Sequence, residues 1–209
     1  MRIFLILAFL LFSFFEKVNA QINELPVHFG QYFNNPQINP AIGGARDKFI
    51  VFSGNKRNLG NFGGIKTSYI SGFYRFKKNK DGFHSIGASF NNDREGTSIA
   101  RNRAYISYAR HQRVSKLWML SSGVSGGVYT FSVKSNPVIG GASSSVLDLN
   151  LGVFLYSNLT SVSFSINQLN RGKVKPFNQI IELIPQYNFI VKQKIKVNQN
   201  LSIEPSCFY

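Results

Sequence analysis

The sequence predicts an all-β protein built from antiparallel strands, and three observations support this prediction. Phe, Tyr, Gly, Ser and Asn are abundant while charged residues make up only 16% of the chain, a composition that favours strands and turns. Several segments alternate apolar with small or polar residues at a period of two, the pattern of a strand with two unlike faces. After residue 20, no stretch of the sequence is apolar and long enough for a membrane-spanning helix.

The alternation is clearest in residues 147–157. Leu147, Leu149 and Leu151 fall on one face, whereas Asp148 and Asn150 fall on the other. Similar segments recur along the chain, and we count about nine strands. The predicted strands cover residues 48–56, 65–77, 83–92, 102–112, 116–133, 147–157, 160–167, 181–196 and 199–209.

Such strands could build either an outer-membrane barrel or a secreted sandwich. A membrane barrel turns its apolar face to lipid and keeps polar or small side chains inside, whereas a sandwich buries the apolar face. Aromatic residues near strand ends fit the interface belts of a membrane protein. These residues are Tyr74, Phe76, Tyr105, Tyr108, Tyr129, Phe131, Phe208 and Tyr209. The residues alone leave both architectures open.

Residues 1–20 have the features of a secretory signal peptide. Arg2 supplies a positive charge, residues 3–15 are apolar, and small residues precede Gln21. The apolar run is short for spanning a bilayer, and a membrane anchor is the alternative. We therefore divide the chain into a signal peptide at 1–20, an irregular N-terminal segment at 21–47 and barrel strands at 48–209.

The stretch 28–44 is too irregular for a helix or a strand. Pro36 and Pro40 each follow an asparagine and restrict the backbone, and the two glycines at 43–44 permit a change of direction. The stretch is also too apolar for a free tail. Its apolar residues include Phe29, Tyr32, Phe33 and Ile38. We predict a rigid segment that packs on a neighbouring surface, with an ordinary connecting loop as the alternative.

This stretch, placed behind a signal peptide, resembles the opening signature of the PorP/SprF family of type IX secretion and gliding proteins. The matching residues are Phe29, Gln31, Tyr32, Asn34, Ile38, Asn39, Pro40, Ala41 and Gly43 or Gly44. Leu25 and Gly30 depart from the Asp and Ser that the family prefers. Further matches follow in family order at Gly64, Lys66, Thr67, Gly87, Asn92, Asp93, Gly96, Tyr105, Tyr108, Asp148, Asn150, Gly152, Tyr156, Ser165, Asn167, Pro205 and Ser206.

The resemblance implies an antiparallel outer-membrane β-barrel of a Gram-negative bacterium, without enzymatic activity. It implies that the partners are type IX secretion components, a cargo protein such as an adhesin, and the lipid bilayer. A general outer-membrane pore and a secreted β-sandwich binding module are the alternatives. Family members usually continue with several more strands, and single-chain bacterial barrels have even strand numbers. We therefore expect an incomplete part of a larger barrel, and a strand count that is wrong by one is the alternative.

The sequence offers little for catalysis or metal binding. His28, His84 and His111 are far apart, and no nucleophile, phosphate-loop or metal-ligand motif is present. His84 could pair with a serine inside the barrel, but no motif places an acidic residue to orient it. Cys207 is the only cysteine of the sequence. We expect no enzyme, no cofactor, no metal site and no small-molecule substrate.

The chain carries a formal net charge of +15. Such a charge would suggest nucleic-acid binding in an intracellular protein, but the signal peptide argues against a nucleic-acid partner. The basic residues gather at predicted turns, where they suit lipid phosphates or an acidic partner surface. A solvated or luminal face is the alternative.

We predict that the irregular segment binds a partner. Its aromatic side chains resemble the anchors that dominate protein interfaces, and its rigidity reduces the entropy lost on docking. The predicted partner-binding residues are Phe29, Gln31, Tyr32, Phe33, Asn39 and Pro40. Residues 21–44 precede the first strand, so in an outer-membrane barrel they begin on the periplasmic side. The segment then either plugs the barrel from below or docks on a periplasmic partner.

Overall fold

The computed structural model describes residues 36–58, 60, 64–135, 140–177, 179–196 and 202–208. The predicted signal peptide at 1–20 and the first part of the irregular segment, 21–35, lie outside these residues. Within them, no helix has both the length and the apolar character needed to cross a membrane. A 3₁₀ turn, Pro40–Ile42, precedes a series of strands.

The strands are β1 (Phe49–Arg57), β2 (Lys66–Asn79), β3 (Gly82–Glu95), β4 (Ile99–Arg113), β5 (Met119–Val133), β6 (Ala142–Tyr156), β7 (Thr160–Asn167), β8 (Lys173–Val174), β9 (Ile181–Glu182), β10 (Gln186–Gln193), β11 (Ile195–Lys196), β12 (Ser202–Ile203) and β13 (Ser206–Phe208). Nine of them form one antiparallel sheet in the order β1-β2-β3-β4-β5-β6-β7-β10-β13. The pairs β8-β9 and β11-β12 form two small separate ladders. From β1 to β7, each strand pairs with the next strand in the chain, as in a barrel meander.

The predicted all-β antiparallel class is confirmed. Within the described residues, β1 pairs only with β2 and β13 pairs only with β10, so the sheet is open there. Its nine strands and their order fit a partial barrel.

The first seven predicted strands match β1 to β7, and the last two predictions need correction. The predicted strand at 181–196 is divided into β9, β10 and β11. Pro185, which has no N–H to donate to a ladder, lies between β9 and β10. Of the predicted strand at 199–209, the described residues 202–208 form β12 and β13 with Pro205 between them, and the others lie outside the described part of the chain. The short hairpin β8-β9 was not predicted, since two-residue strands carry no periodic signal.

The exposed face of the sheet is apolar and the buried face is polar, which is the reverse of a soluble sandwich. On β6, Leu147 and Leu151 are 69% and 43% exposed, whereas Asp148 and Asn150 between them are buried. On β3, Phe90 is exposed and its neighbour Asn91 is buried. An apolar outer face around a polar interior is the arrangement of a membrane barrel, and it rules out the sandwich alternative.

The strand register aligns the outward side chains in rows that cross the sheet. Five successive rows are mainly apolar, and we call them the apolar band. On β6 the band extends from Leu155 to Leu147, about 27 Å along the strand at ~3.4 Å per residue. The middle row contains Tyr74, Ile86, Tyr108, Val124 and Leu151. With the usual strand tilt of ~35–45°, the band has a height of about 20 Å, close to that of outer-membrane barrels.

The row next to the apolar band, on the side of Leu147, is polar and uncharged. Its side chains hydrogen-bond in pairs across strands, with 2.7 Å between Asn55 Nδ2 and Ser68 Oγ and 2.8 Å between Thr130 Oγ1 and Ser145 Oγ. The complete polar row is Asn55, Ser68, Asn92, Asn102, Thr130 and Ser145. The apolar band therefore ends sharply on this side.

The aromatic residues near strand ends belong to two different faces. Tyr74, Phe76 and Tyr108 point outward, as residues of an interface belt would. Tyr74 and Tyr108 nevertheless lie in the middle row of the apolar band and not at its edge, so their depth does not match a belt. The prediction is wrong for Tyr105, Tyr129 and Phe131, which point inward and are buried. Their odd numbers place them on the inner face of β4 and β5, since the even-numbered residues of these strands point outward. Of the remaining two predicted belt residues, the side chain of Phe208 is not described and Tyr209 lies outside the described part of the chain.

The connections differ between the two ends of the sheet. At the end where β1 begins, residues 80–81, 114–118 and 157–159 form short turns, and residues 194–205 join β10 to β13. We call this the short-turn end. The opposite end, which we call the loop end, carries the connections 58–65, 96–98, 134–141 and 168–185.

Candidate functional site

Residues 36–46, which we call the inner segment, lie on the inner face of the sheet near the short-turn end. Ile38, Pro40 and Ala41 are buried there. Side chains from six successive strands, β2 to β7, hold the segment through hydrogen bonds or close packing. The inner segment is therefore part of the folded interior.

Asn39 forms hydrogen bonds through both the nitrogen and the oxygen of its side-chain amide. Its Nδ2 donates to Ser163 Oγ at 2.7 Å and to the carbonyl oxygens of Val153 and Phe164 at 3.0 and 3.1 Å. Its Oδ1 accepts from the backbone N–H of Ala41 at 2.9 Å and so caps the 3₁₀ turn. One side chain thereby joins the inner segment to both β6 and β7.

The inner face of the sheet around the inner segment, which we call the wall, contains two glycines that allow the segment to approach closely. A Cβ atom at Gly123 would lie 2.4 Å from the backbone nitrogen of Ala41 and 2.5 Å from the carbonyl carbon of Pro40. A Cβ atom at Gly152 would lie 1.9 Å from Asn39 Oδ1. Any larger residue at either position would have to push the segment away from the wall.

The wall also binds the backbone carbonyl groups of the inner segment. Ser165 Oγ donates to the carbonyl of Ile38 at 2.8 Å, and Ser121 Oγ donates to the carbonyl of Ala41 at 2.8 Å. Further along, Ser85 Oγ donates to the carbonyl of Gly43 at 2.6 Å. These serines satisfy buried acceptors that would otherwise be unpaired.

Aromatic side chains pack around the C-terminal end of the inner segment. His111 Nε2 lies 2.9 Å from the carbonyl oxygen of Gly43, and its ring stacks on Phe83 with 4.2 Å between ring centroids. Arg75 lies over the Phe83 ring, with its guanidinium carbon 4.1 Å from the ring centroid. Its Nη2 donates to the carbonyl oxygens of Gly44 and Ala45 at 2.6 and 3.1 Å. This arrangement fixes the path of the chain into β1.

The six predicted partner-binding residues fall into two groups. Asn39 and Pro40 are buried on the inner face and contact the chain's own strands. Phe29, Gln31, Tyr32 and Phe33 lie outside the described residues. The wall residues that hold the segment were not predicted as site residues. Ser85, Ser121, Ser163 and Ser165 alternate with apolar residues along their strands, which puts them on the polar face but does not identify their partners.

The considered pairing of His84 with a serine inside the barrel is wrong. His84 is on the outer face, where its Nδ1 lies 2.5 Å from Tyr108 Oη. The histidine near an inner serine is His111, with Nε2 3.4 Å from Ser121 Oγ. Both side chains bind carbonyl groups of the inner segment, so their contacts are structural. The described residues contain no group of His, Cys, Asp or Glu arranged to hold a metal ion.

The loop end of the inner face is filled by a second element. The hairpin β8-β9 buries Val174 and Leu183 against Tyr129 and Phe131 of β5. Leu183 also donates its N–H to the carbonyl of Gly172 at 2.8 Å, which folds the connection back on itself. The inner face is thus occupied near both ends.

Between these two elements the inner face is polar. Tyr105 Oη donates to Asp148 Oδ2 at 2.6 Å, and Asn150 Nδ2 donates to Ser125 Oγ at 2.9 Å. Nearer the loop end, the buried Arg101 pairs with Glu95 and lies 3.7 Å from Asp93 Oδ2. Buried charges of this kind are compensated by direct pairing.

These features define a class of protein: a membrane β-barrel sheet with an apolar exterior, a polar interior and an N-terminal segment held inside. The sequence model of the type IX secretion system membrane protein PorP/SprF matches residues 22–209. The chain therefore belongs to the PorP/SprF family, in agreement with the resemblance found in its sequence. No curated protein and no solved structure shows significant similarity to the chain.

Proposed function

We propose that this chain is a non-enzymatic outer-membrane accessory of a type IX secretion or gliding machine. In this role it supports the export or surface anchoring of specific cargo, such as large adhesins. The observation that carries the proposal is the sheet with its apolar outside, which encloses a segment bearing the family's own opening signature. The expected partners are machine components and one cargo protein.

The location in the outer membrane is supported by the dimensions of the apolar band, about 20 Å high at the usual tilt. Outer-membrane barrels have short turns on the periplasmic side and longer loops outside. We therefore assign the short-turn end to the periplasm and the loop end to the cell surface. The inner segment then enters the barrel from the periplasm, where a signal peptide would have delivered the chain.

We propose that the irregular N-terminal stretch has two parts with different tasks. The inner segment, which includes Asn39 and Pro40, plugs the barrel from the periplasmic side. The preceding residues dock on a periplasmic component, with Phe29, Gln31, Tyr32 and Phe33 as the contact residues. The hydrogen bonds of Asn39 support the first task, and the aromatic composition of residues 29–33 supports the second.

The cargo role is tested by removing the gene from its host and measuring every type IX cargo at the cell surface by quantitative proteomics. We expect one cargo or a small group to be lost, and the wild-type gene to restore it. Loss of every cargo would instead identify a core component of the machine. Unchanged display of all cargo would overturn the proposal.

The docking task is tested with the double variant Tyr32→Ala, Phe33→Ala in the same host. We expect the protein to remain in the outer membrane in normal amount while its cargo is lost from the surface. The matched control is Tyr187→Ala, Phe189→Ala, which removes two aromatic side chains from the outer face of β10. Normal cargo display in the first variant would contradict the docking role and leave the plug unaffected.

A further inference from the structure

Three basic residues lie side by side on the outer face at the loop end. Arg57 on β1 is the register partner of Lys66 on β2, and Lys66 is in turn the partner of Arg94 on β3. We call these three residues the cationic row. Directly opposed residues on one face have Cβ atoms about 4.5–5.5 Å apart, and like charges at that distance destabilise a sheet.

No carboxylate in the described part of the chain compensates the cationic row. The nearest acidic residues in the register are Asp93 and Glu95, which pair with Arg101 from the inner face. The sequence that joins Arg57 to Lys66 contains no acidic residue. The row therefore presents three positive charges without an internal counter-ion.

Arg94 gives a second, independent indication of an anion-binding site. Its Nε is buried and has no hydrogen-bond partner among the described residues. A buried guanidinium N–H without an acceptor is unfavourable. An anionic oxygen close to Arg94 would satisfy this donor and neutralise the row at the same time.

The position of the cationic row indicates the chemistry of an anion that would bind there. The row is adjacent to the polar row, since Arg57 follows Asn55 and Arg94 follows Asn92 on the same outward faces. The polar row in turn borders the apolar band. The charges therefore lie one step beyond the lipid chains, at the level where lipid head groups begin.

We propose that Arg57, Lys66 and Arg94 bind the phosphate groups of an anionic lipid in the leaflet at the loop end. This inference rests on the membrane location proposed above. The guanidinium groups offer forked donors that match phosphate oxygens, and the ammonium group of Lys66 adds a point charge between them. The lipid would occupy the outer face of β1 to β3 with its acyl chains along the apolar band.

The test compares two charge-matched triple variants of the full chain, purified in a neutral detergent. The first is Arg57→Gln, Lys66→Gln, Arg94→Gln. The control is Lys80→Gln, Arg113→Gln, Lys116→Gln, which removes the same charge from exposed residues at the short-turn end. Binding of bisphosphorylated lipid A and of dephosphorylated lipid A is measured by native mass spectrometry, with and without inorganic phosphate as a competitor.

We expect the first triple variant to bind bisphosphorylated lipid A about a hundred-fold more weakly, since each basic residue near a membrane surface contributes about five-fold. The control should bind like the wild type, dephosphorylated lipid A should bind weakly, and millimolar phosphate should not compete. Arg94→Lys, which keeps the charge but loses the forked donors, should give an intermediate loss in a chain that folds normally.

Three results would overturn the inference. Equal losses in both triple variants would show that only net charge matters. Equal binding of the two forms of lipid A would show that phosphate is not recognised, and displacement by inorganic phosphate would show a site for soluble anions. Membrane fractionation of the wild-type chain in its host tests the proposed location separately, so the two failures are distinguishable.

Discussion

At the scale of single residues, Asn39 carries the connection between the inner segment and the wall. Its amide nitrogen reaches one hydroxyl and two carbonyl oxygens, and its oxygen caps the 3₁₀ turn. Only an amide of this length offers both donors and an acceptor at these positions. These contacts give a physical reason for the family signature N-P-A. The amide of Asn39 binds the segment to β6 and β7, Pro40 begins the 3₁₀ turn, and the small side chain of Ala41 allows close packing against the wall.

We expect Asn39→Ala to lower the free energy of unfolding by about 2–3 kcal/mol, since two or three buried hydrogen bonds at ~1 kcal/mol each are lost. Asn39→Asp should be at least as damaging, because a carboxylate would face the carbonyl oxygens of Val153 and Phe164. Thermal unfolding in detergent, followed by circular dichroism, measures both. Asn55→Ala, which removes an exposed amide on the outer face, is the control and should change stability little.

Two glycines of β5 provide a second matched comparison. Gly123→Ala places a methyl group within 2.6 Å of Pro40 and Ala41 and should displace the inner segment. Gly126→Ala, on the outer face of the same strand, meets only the Leu149 side chain at 3.4 Å and should be tolerated. Protease cleavage within residues 36–46, followed by mass spectrometry, should increase for the first variant alone. Equal protection in both would show that the contact is not tight.

At the scale of elements, each strand of the sheet carries two alternating sets of side chains, one on the outer face and one on the inner face. On β6 the odd-numbered residues 147–155 belong to the apolar band and the even-numbered residues line the interior. The sequence predicted this alternation and the seven first strands because a period of two is visible within a few residues. It could not predict which serine would meet which carbonyl, since those partners are separated by 42 to 127 residues.

The outward face of β6 allows a test of depth in the membrane. Leu151→Arg, in the middle row of the apolar band, should impair insertion by about 2–4 kcal/mol, whereas Ser145→Arg, in the polar row, should cost about 0–1 kcal/mol. Both residues are on the same strand and the same face. The amount of each variant in the outer-membrane fraction is the measurement. Equal tolerance of the two arginines would show that the band does not contact lipid.

At the scale of the whole molecule, the inner face is occupied from both ends. The inner segment fills the short-turn end, and β8-β9 packs against β5 near the loop end. These two fillings were beyond sequence analysis for different reasons. The segment was predicted to pack on something but its target was unknown, and the hairpin strands were too short to show a period.

This occupied interior predicts poor conductance in planar lipid bilayers, unlike a general diffusion pore. Replacing residues 38–44 with a Gly-Ser sequence of equal length should open discrete, larger conductance steps, because the hydrogen bonds of the segment are lost. The same kind of replacement in the turn 114–118 is the control and should leave the conductance low. Large steps in the unaltered protein would favour the general-pore alternative.

The way the inner segment is held has a consequence for the order of assembly. The segment precedes β1 in the chain and is synthesised early, yet Asn39 binds Phe164, which lies 125 residues later. Contacts between such distant residues require a large loss of chain entropy, so we expect them to form after the pairings of neighbouring strands. We therefore expect the carbonyl groups of the inner segment to bind their serines only after β2 to β7 have paired. Binding of the inner segment to the inner face then requires the complete sheet. A barrel whose inner segment is not bound would be an incompletely folded one.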